Sequence, residues 1–179
     1  MAAGFNYKQA PTVNIRELAR QELNKRGSSG VNLKDNADGY VLPLTPLKVD
    51  LEKLEAEICV RVRLTGTNTV KYLNGLKVGM FLGNGTTAAK VTGIKEINGG
   101  YELEGVSGKE GDVMFEVESA EGKEPKTLPT HLNYATAPIK DNETLTILYG
   151  AEEIMEHKLF APLTEADKEA LGDRFYFIY

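Results

Sequence analysis

From residue 58 onward the chain keeps a period of two. Ile58, Val60, Val62 and Leu64 alternate with Cys59, Arg61 and Arg63, the pattern of a strand with one face in a core. Short apolar runs follow, and the residues between them are turn formers. Asn84-Gly85 and Asn98-Gly99-Gly100 supply the positive φ of tight hairpin turns. Gly108-Lys109-Glu110-Gly111-Asp112 and Glu121-Gly122-Lys123 serve in the same way. Such a chain folds as sheets joined by hairpins. We expect strands at 58–64, 78–82, 89–97, 101–105, 113–117 and 144–149. The fold class is therefore mainly β, a sandwich or small barrel-like body over 58–179. Residues 123–140, with Pro125, Pro129 and Pro138, read as a long surface loop. Thr164 and Asp167 have the spacing of a capping box, which predicts a short C-terminal helix through Ala170 and Leu171, stopped by Gly172. Phe175-Tyr176-Phe177-Ile178-Tyr179 closes the chain as a strand.

The first thirty residues are written differently. Asn14 to Arg26 reads as a helix, with Thr12 or Asn14 as its cap and Gly27 as its stop. Ile15, Leu18, Ala19 and Leu23 share one stripe, and Glu22 and Arg26 form an i,i+4 pair. Gly27-Ser28-Ser29-Gly30 reads as a hinge. Lys8, Arg16, Arg20, Lys25 and Arg26 stand against Glu17 and Glu22, so this segment carries +5 − 2 = +3 of a total of −5, and the remainder −8. A basic, amphipathic N-terminal helical arm over 1–30 is the expectation. Residues 31–57 link it to the body, with a turn at Asp35-Asn36-Ala37-Asp38-Gly39. Leu47, Leu51, Leu54 and Ile58 recur at 4-3-4 spacing, the seam of a short helix opened by Thr45-Pro46. A strand through Leu47, Val49 and Leu51 is the competing reading.

Side chains that do chemistry near neutral pH are few. Among 179 residues there is one cysteine, Cys59, so no intrachain disulfide and no cysteine metal cluster can form. His131 and His157 lack a third ligand at metal spacing and read as surface histidines. Cys59, on a strand, reads as a small buried hydrophobe. Gly83-Asn84-Gly85-Thr86-Thr87-Ala88 matches G-x-G-x-x-A. A dinucleotide site needs a helix next, however, and Ala89-Lys90-Val91-Thr92-Gly93-Ile94 alternates like a strand. A calcium loop begun at Asp35 fails at Ala37, Gly39 and Pro46. The acidic runs Glu152, Glu153, Glu156 and Glu165, Asp167, Glu169 read as solvated faces. Apolar runs reach about five residues against the ~20 of a bilayer span, and the start lacks the segments of a signal peptide. We expect no catalytic residues, no cofactor and no metal. The −8 remainder argues against nucleic acid.

Leu76-Lys77-Val78-Gly79-Met80-Phe81-Leu82 followed by Gly83-Asn84-Gly85-Thr86 resembles the strand and glycine-threonine turn of small capsid-bound proteins of tailed bacteriophages. These are the head decoration, auxiliary capsid and head-fibre base proteins, with a crAss-like phage as the source type. The tail of the chain is similar to the same group. Thr144-Leu145-Thr146-Ile147-Leu148-Tyr149-Gly150 is followed by a Pro162 turn, a helical turn at 164–171 and an aromatic closing strand. The resemblance covers residues 70–179 and leaves out the arm. It implies a non-enzymatic virion structural protein, made in the host cytoplasm and placed on the capsid exterior. There it would cement capsomers or anchor a head fibre through protein–protein contacts.

The implied partner is the major capsid protein, with a homo-oligomer beside it, a trimer suiting local symmetry, and neither nucleic acid nor membrane. On that reading Ile15, Leu18 and Leu23 are arm contacts, steered to an acidic surface by Arg16 and Arg20. Leu47, Leu51, Leu54 and Ile58 are self-association residues. Three alternatives stand beside it. The arm helix packs on its own body. The chain is a carbohydrate-binding or adhesion β-module on a phage fibre, with Tyr101, Tyr134 and Tyr149 as an aromatic platform. Or it is a hydrolase using the acidic residues of 152–169.

Overall fold

The segment expected to form a helical arm is part of the largest sheet instead. A computed structural model describes residues 12–25, with the backbone alone at 20–25, and residues 30–35, 37 and 39–179. Asn14 does act as a cap, its side chain accepting from the Arg16 amide, but the turn it opens is a 3-10 turn, Ile15–Glu17. The chain then extends as β1 (Ala19–Lys25), antiparallel to a nine-residue strand near the other end of the sequence. A lone helix of about 13 residues is marginal in water. The strand gains a ladder along an existing partner, and Ile15, Leu18 and Ala19 are buried beside it. The helical arm is therefore corrected to a sheet strand. The pairing of Glu22 with Arg26 and the hinge residues 27–29 lie outside the described residues.

The second expected helix is a hairpin. After β2 (Val31–Leu33) and β3 (Tyr40–Val41) come β4 (Pro46–Asp50) and β5 (Glu55–Ile58). Leu47 faces Ile58 and Asp50 faces Glu55 across the pair. The Asp50 side chain accepts from the Glu52 and Lys53 amides and so folds the chain back. The strand alternative through Leu47 and Val49 is the observed one, with Leu51 already in the turn. The 4-3-4 seam thus has no common face. Leu47 and Ile58 are cross-strand partners in the core, while Leu51 and Leu54 sit at the tip, 41% and 37% exposed.

The expected strand at 58–64 breaks at Cys59 and Val60, and β6 (Arg61–Arg63) belongs to a different sheet. Beyond it the hairpin punctuation is obeyed. β7 (Thr69–Val70) and β8 (Phe81–Gly83) are followed by β9 (Ala88–Lys90), and Asn84-Gly85 lies in the β8–β9 turn. β10 (Gly93–Ile97) and β11 (Gly100–Glu104) form the next hairpin, and β12 (Val113–Val117) has the expected bounds. The expected long loop holds two strands, β13 (His131–Asn133) and β14 (Ala137–Pro138). Then come β15 (Thr144–Leu145), β16 (Ile147–Met155), α1 (Glu165–Leu171) and β17 (Phe175–Ile178). The α1 capping box between Thr164 and Asp167 is present on both sides, as expected.

The fold is mainly β. An eight-stranded sheet runs β1-β16-β13-β4-β5-β2-β15, with β17 parallel to β16. A four-stranded sheet runs β6-β12-β8-β9, a three-stranded one β10-β11-β7, and β3 pairs with β14. One core cluster joins Val31, Leu47, Ile58, Val62, Leu82 and Leu103 across these sheets. A second joins Ile15, Leu18, Leu132, Ile154, Leu171 and Phe175, so α1 and the N-terminal turn pack on the same side of β16 and β13. Residues assigned to the arm and the linker thus share one sheet with residues assigned to the body. Among the described residues, no helix is long and apolar enough to cross a membrane.

Candidate binding cleft

Two short ribbons supply the walls of one cleft. In the first, Tyr40 of β3 is the register partner of Pro138 of β14. In the second, Glu96 of β10 is the partner of Tyr101 of β11, and Ile94 of Leu103. Register partners project from the same face of a ribbon. Tyr40, Pro138, Ile94, Glu96 and Tyr101 all line a cleft of about 720 Å³. Buried Ala37 and Leu76 lie at its base, and Val78, 57% exposed, stands at its edge. Lys77 also lines it, with its ammonium 3.0 Å from an Asp35 oxygen that accepts from the Ala37 amide at 2.9 Å. Asp35, which failed as the first ligand of a calcium loop, orients a lysine instead.

The irregular stretch between β7 and β8 is held in place by backbone chemistry. Asn74 is left-handed (φ 49°) and its amide donates to the Arg61 and Phe160 carbonyls at 2.8 and 2.9 Å. Gly75 follows at φ +85°, where a Cβ would lie 3.1 Å from the Ile58 side chain. The close approach to β5 therefore requires glycine. These anchors present Leu73, Leu76 and Lys77 to the cleft. The sequence signal for them is Asn74-Gly75, a left-handed turn dipeptide.

The residues expected to matter are scattered. Ile15 and Leu18 are buried in the second core cluster, which leaves them no free face for a partner, while Arg16 is exposed. The side chains of Arg20 and Leu23 lie outside the described residues. Leu47 and Ile58 are core residues; Leu51 and Leu54 are exposed together. Tyr101 lines the cleft, but Tyr134 packs on the second cluster and Tyr149 stacks edge-on to His131, with centroids 4.9 Å apart. The expected three-tyrosine platform is not assembled, and Tyr40 joins Tyr101 instead. His131 is buried rather than a surface residue, its Nδ1 3.0 Å from Thr130 Oγ1.

The structure places most of the groups weighed for catalysis. Burial pushes the Cys59 thiol up to about 11, so it stays a thiol. Asn84 Oδ1 accepts from the Thr86 and Thr87 amides, closing the glycine-rich turn on itself, and β9 follows where a dinucleotide site needs a helix. Lys168 bridges Glu156 and Glu165 at 2.9 and 2.8 Å. Asp167 is not on a solvated face; it is buried against Arg61. Among the described residues, no three His, Cys, Asp or Glu side chains are grouped to hold a metal ion. No protein-family model, no curated protein and no solved structure matches the chain.

Proposed function

We propose that the chain is a virion structural protein that binds the outside of a phage capsid, as decoration, cement or head-fibre base, and acts by contact rather than by chemistry. The major capsid protein is its partner, and copies of the chain meet on that surface. One observation carries this reading. Leu54 has φ 55° at the tip of the β4–β5 hairpin, a conformation that costs an L-residue about 1–2 kcal/mol. Asn or Gly folds such a turn at lower cost. Leu54 still leaves 37% of its surface in solvent, and Leu51 beside it 41%. Strain and exposure together favour a contact outside the chain. Arg16, exposed next to buried Ile15, supplies a positive group for an acidic capsid surface. Ile15 and Leu18 play no docking role in this proposal, because they serve the core.

The test is particle composition. Particles of the virus that encodes the chain should contain it in many copies. A Leu51→Glu, Leu54→Asn double variant should keep its circular dichroism spectrum and unfold at no lower temperature, but lose at least tenfold in occupancy on the shell. Particles without the chain, or undiminished occupancy by the variant, would overturn the proposal.

A further inference from the structure

We infer that Asn98 is a self-modifying position, whose side-chain amide converts to aspartate and isoaspartate by attack of the Gly99 nitrogen. This goes beyond the capsid reading and does not depend on it. Asparagine is a thermolabile residue, and it is most open to this reaction before glycine, which has no Cβ to crowd the ring closure. The chain has three such pairs, Asn74-Gly75, Asn84-Gly85 and Asn98-Gly99. The fold places them in three different environments and restrains two of them.

Asn74 is held by its leaving group. It is 5% exposed, and its Nδ2 donates to the Arg61 and Phe160 carbonyls at 2.8 and 2.9 Å. Losing Nδ2 as ammonia would remove two hydrogen bonds from a buried site. Asn84 is held by its oxygen. Oδ1 accepts from the Thr86 and Thr87 amides at 3.1 and 3.0 Å. Turning Cγ towards the Gly85 nitrogen costs those bonds. Asn98 has neither restraint. It is exposed with Gly99 at the tip of the β10–β11 hairpin, and among the described residues neither its side chain nor the Gly99 N–H is hydrogen-bonded. A Cβ on Gly99 would meet nothing within 4 Å, so there is open space beside the attacking nitrogen. The turn closes on the Ile97–Gly100 pair, and opening that last pair gives it room to rotate.

The step needs only water. The Gly99 N–H gives up its proton, the nitrogen bonds to Asn98 Cγ, and the Cγ–Nδ2 bond breaks, with Nδ2 leaving as ammonia. Water then opens the cyclic imide. Opening at the side-chain carbonyl leaves aspartate. Opening at the main-chain carbonyl leaves isoaspartate, whose chain runs through Cγ. Either product adds a negative charge at the tip. Isoaspartate also adds a main-chain atom to a two-residue turn whose length fixes the strand register. The Ile97–Gly100 pair, with Tyr101 of the cleft wall next to it, takes the strain.

The experiment incubates the full native chain at mildly alkaline pH and digests it at intervals. Mass spectrometry follows the three peptides, and labelling by isoaspartyl methyltransferase detects the rearranged product. Asn98 should convert at least tenfold faster than Asn84 and Asn74, with isoaspartate among its products. In concentrated urea, which removes the folded restraints, the three rates should come within about threefold of one another. Gly99→Ala, which meets no neighbour within 4 Å, should slow conversion at Asn98 at least tenfold, because the added Cβ crowds the ring closure. Equal rates at the three sites in the native chain, an unmodified Asn98, or undiminished conversion in the Gly99→Ala variant would overturn the inference. Rates that stay as far apart in urea as in the native chain would overturn it too, since the fold would then not be what selects Asn98.

Discussion

Arg61 and Asp167, 106 positions apart in the chain, meet as a two-pronged ion pair with neither side chain reaching solvent. Nε lies 2.8 Å from Oδ2, and Nη2 lies 2.6 Å from Oδ1. The rest of the guanidinium donates to the Val60 and Thr127 carbonyls, each at 2.8 Å. Asp167 Oδ2 also accepts from the Thr164 amide and hydroxyl, at 2.9 and 2.8 Å. One pair thus ties β6, the segment before β13 and the first turn of α1 together. Burial of two charges is tolerated because their hydrogen bonds are made.

Removing one partner leaves an uncompensated buried charge, which costs about 3–5 kcal/mol. Asp167→Ala should therefore lower stability by that amount in urea denaturation, with α1 released from the sheet. Arg61→Met combined with Asp167→Leu should recover most of the loss. A double variant no better than Asp167→Ala would show that the pair adds stability beyond filling its site.

Cys59 makes stability depend on pH in the alkaline range. Burial raises its thiol from 9.0 to about 11, so the native state keeps a proton that the unfolded chain releases. The contribution is complete below pH 9 and is lost as pH rises from 9 towards about 11. Between those limits the urea midpoint of the native sequence should fall more steeply than that of Cys59→Ala. Parallel slopes would contradict the raised value. A thiol reagent at neutral pH should label Cys59 only after unfolding.

Leu54→Asn should relieve left-handed strain at a position where 37% of the leucine surface is already in solvent. Thermal denaturation should show a gain of up to about 1 kcal/mol. A loss of more than about 1 kcal/mol would mean that Leu54 packs on the body, and the contact reading of the tip would fail with it.

Gly100 lies where β11 crosses closest to β7. A Cβ there would run into the Val70 carbonyl oxygen and come within 3.2 Å of Lys71 Cα. Gly100→Ala should force β7 from β11, cost about 1–3 kcal/mol and displace Tyr101, whose register partner is Val70. Gly99→Ala meets nothing within 4 Å, though its φ is +87°, so it should cost about 1 kcal/mol and leave Tyr101 in place. Amide exchange of β11 measured on both variants separates the two effects.

Little of the cleft was legible in advance. Tyr101 belongs to the expected tyrosine platform, but its companions in the cleft do not. Tyr40 and Pro138 sit in a two-residue pairing too short to show a period. Lys77 looked like any surface lysine until Asp35 was brought beside it. Arg61 sat in the polar half of an alternating run, beside exposed Arg63. In the fold it is buried against Asp167, a carboxylate that the sequence also reads as part of a solvated acidic face.

What the amino-acid order settled unaided is local. The Asn84-Gly85 and Asn98-Gly99 hairpins and the capped start and glycine stop of α1 all depend on contacts within a few residues, so short stretches of sequence suffice for them. Tertiary structure decided the rest. Residues 15–19 and 47–58 carry apolar spacings that suit a helix or a strand. Residues 15–17 took a 3-10 turn, but the chain after them became strand because β16 offered β1 an edge, and 47–58 became a hairpin because the Asp50 turn returned β5 along β4. A backbone segment takes the ladder that satisfies its polar groups while burying its apolar side chains, and that ladder's other half lies far away in sequence.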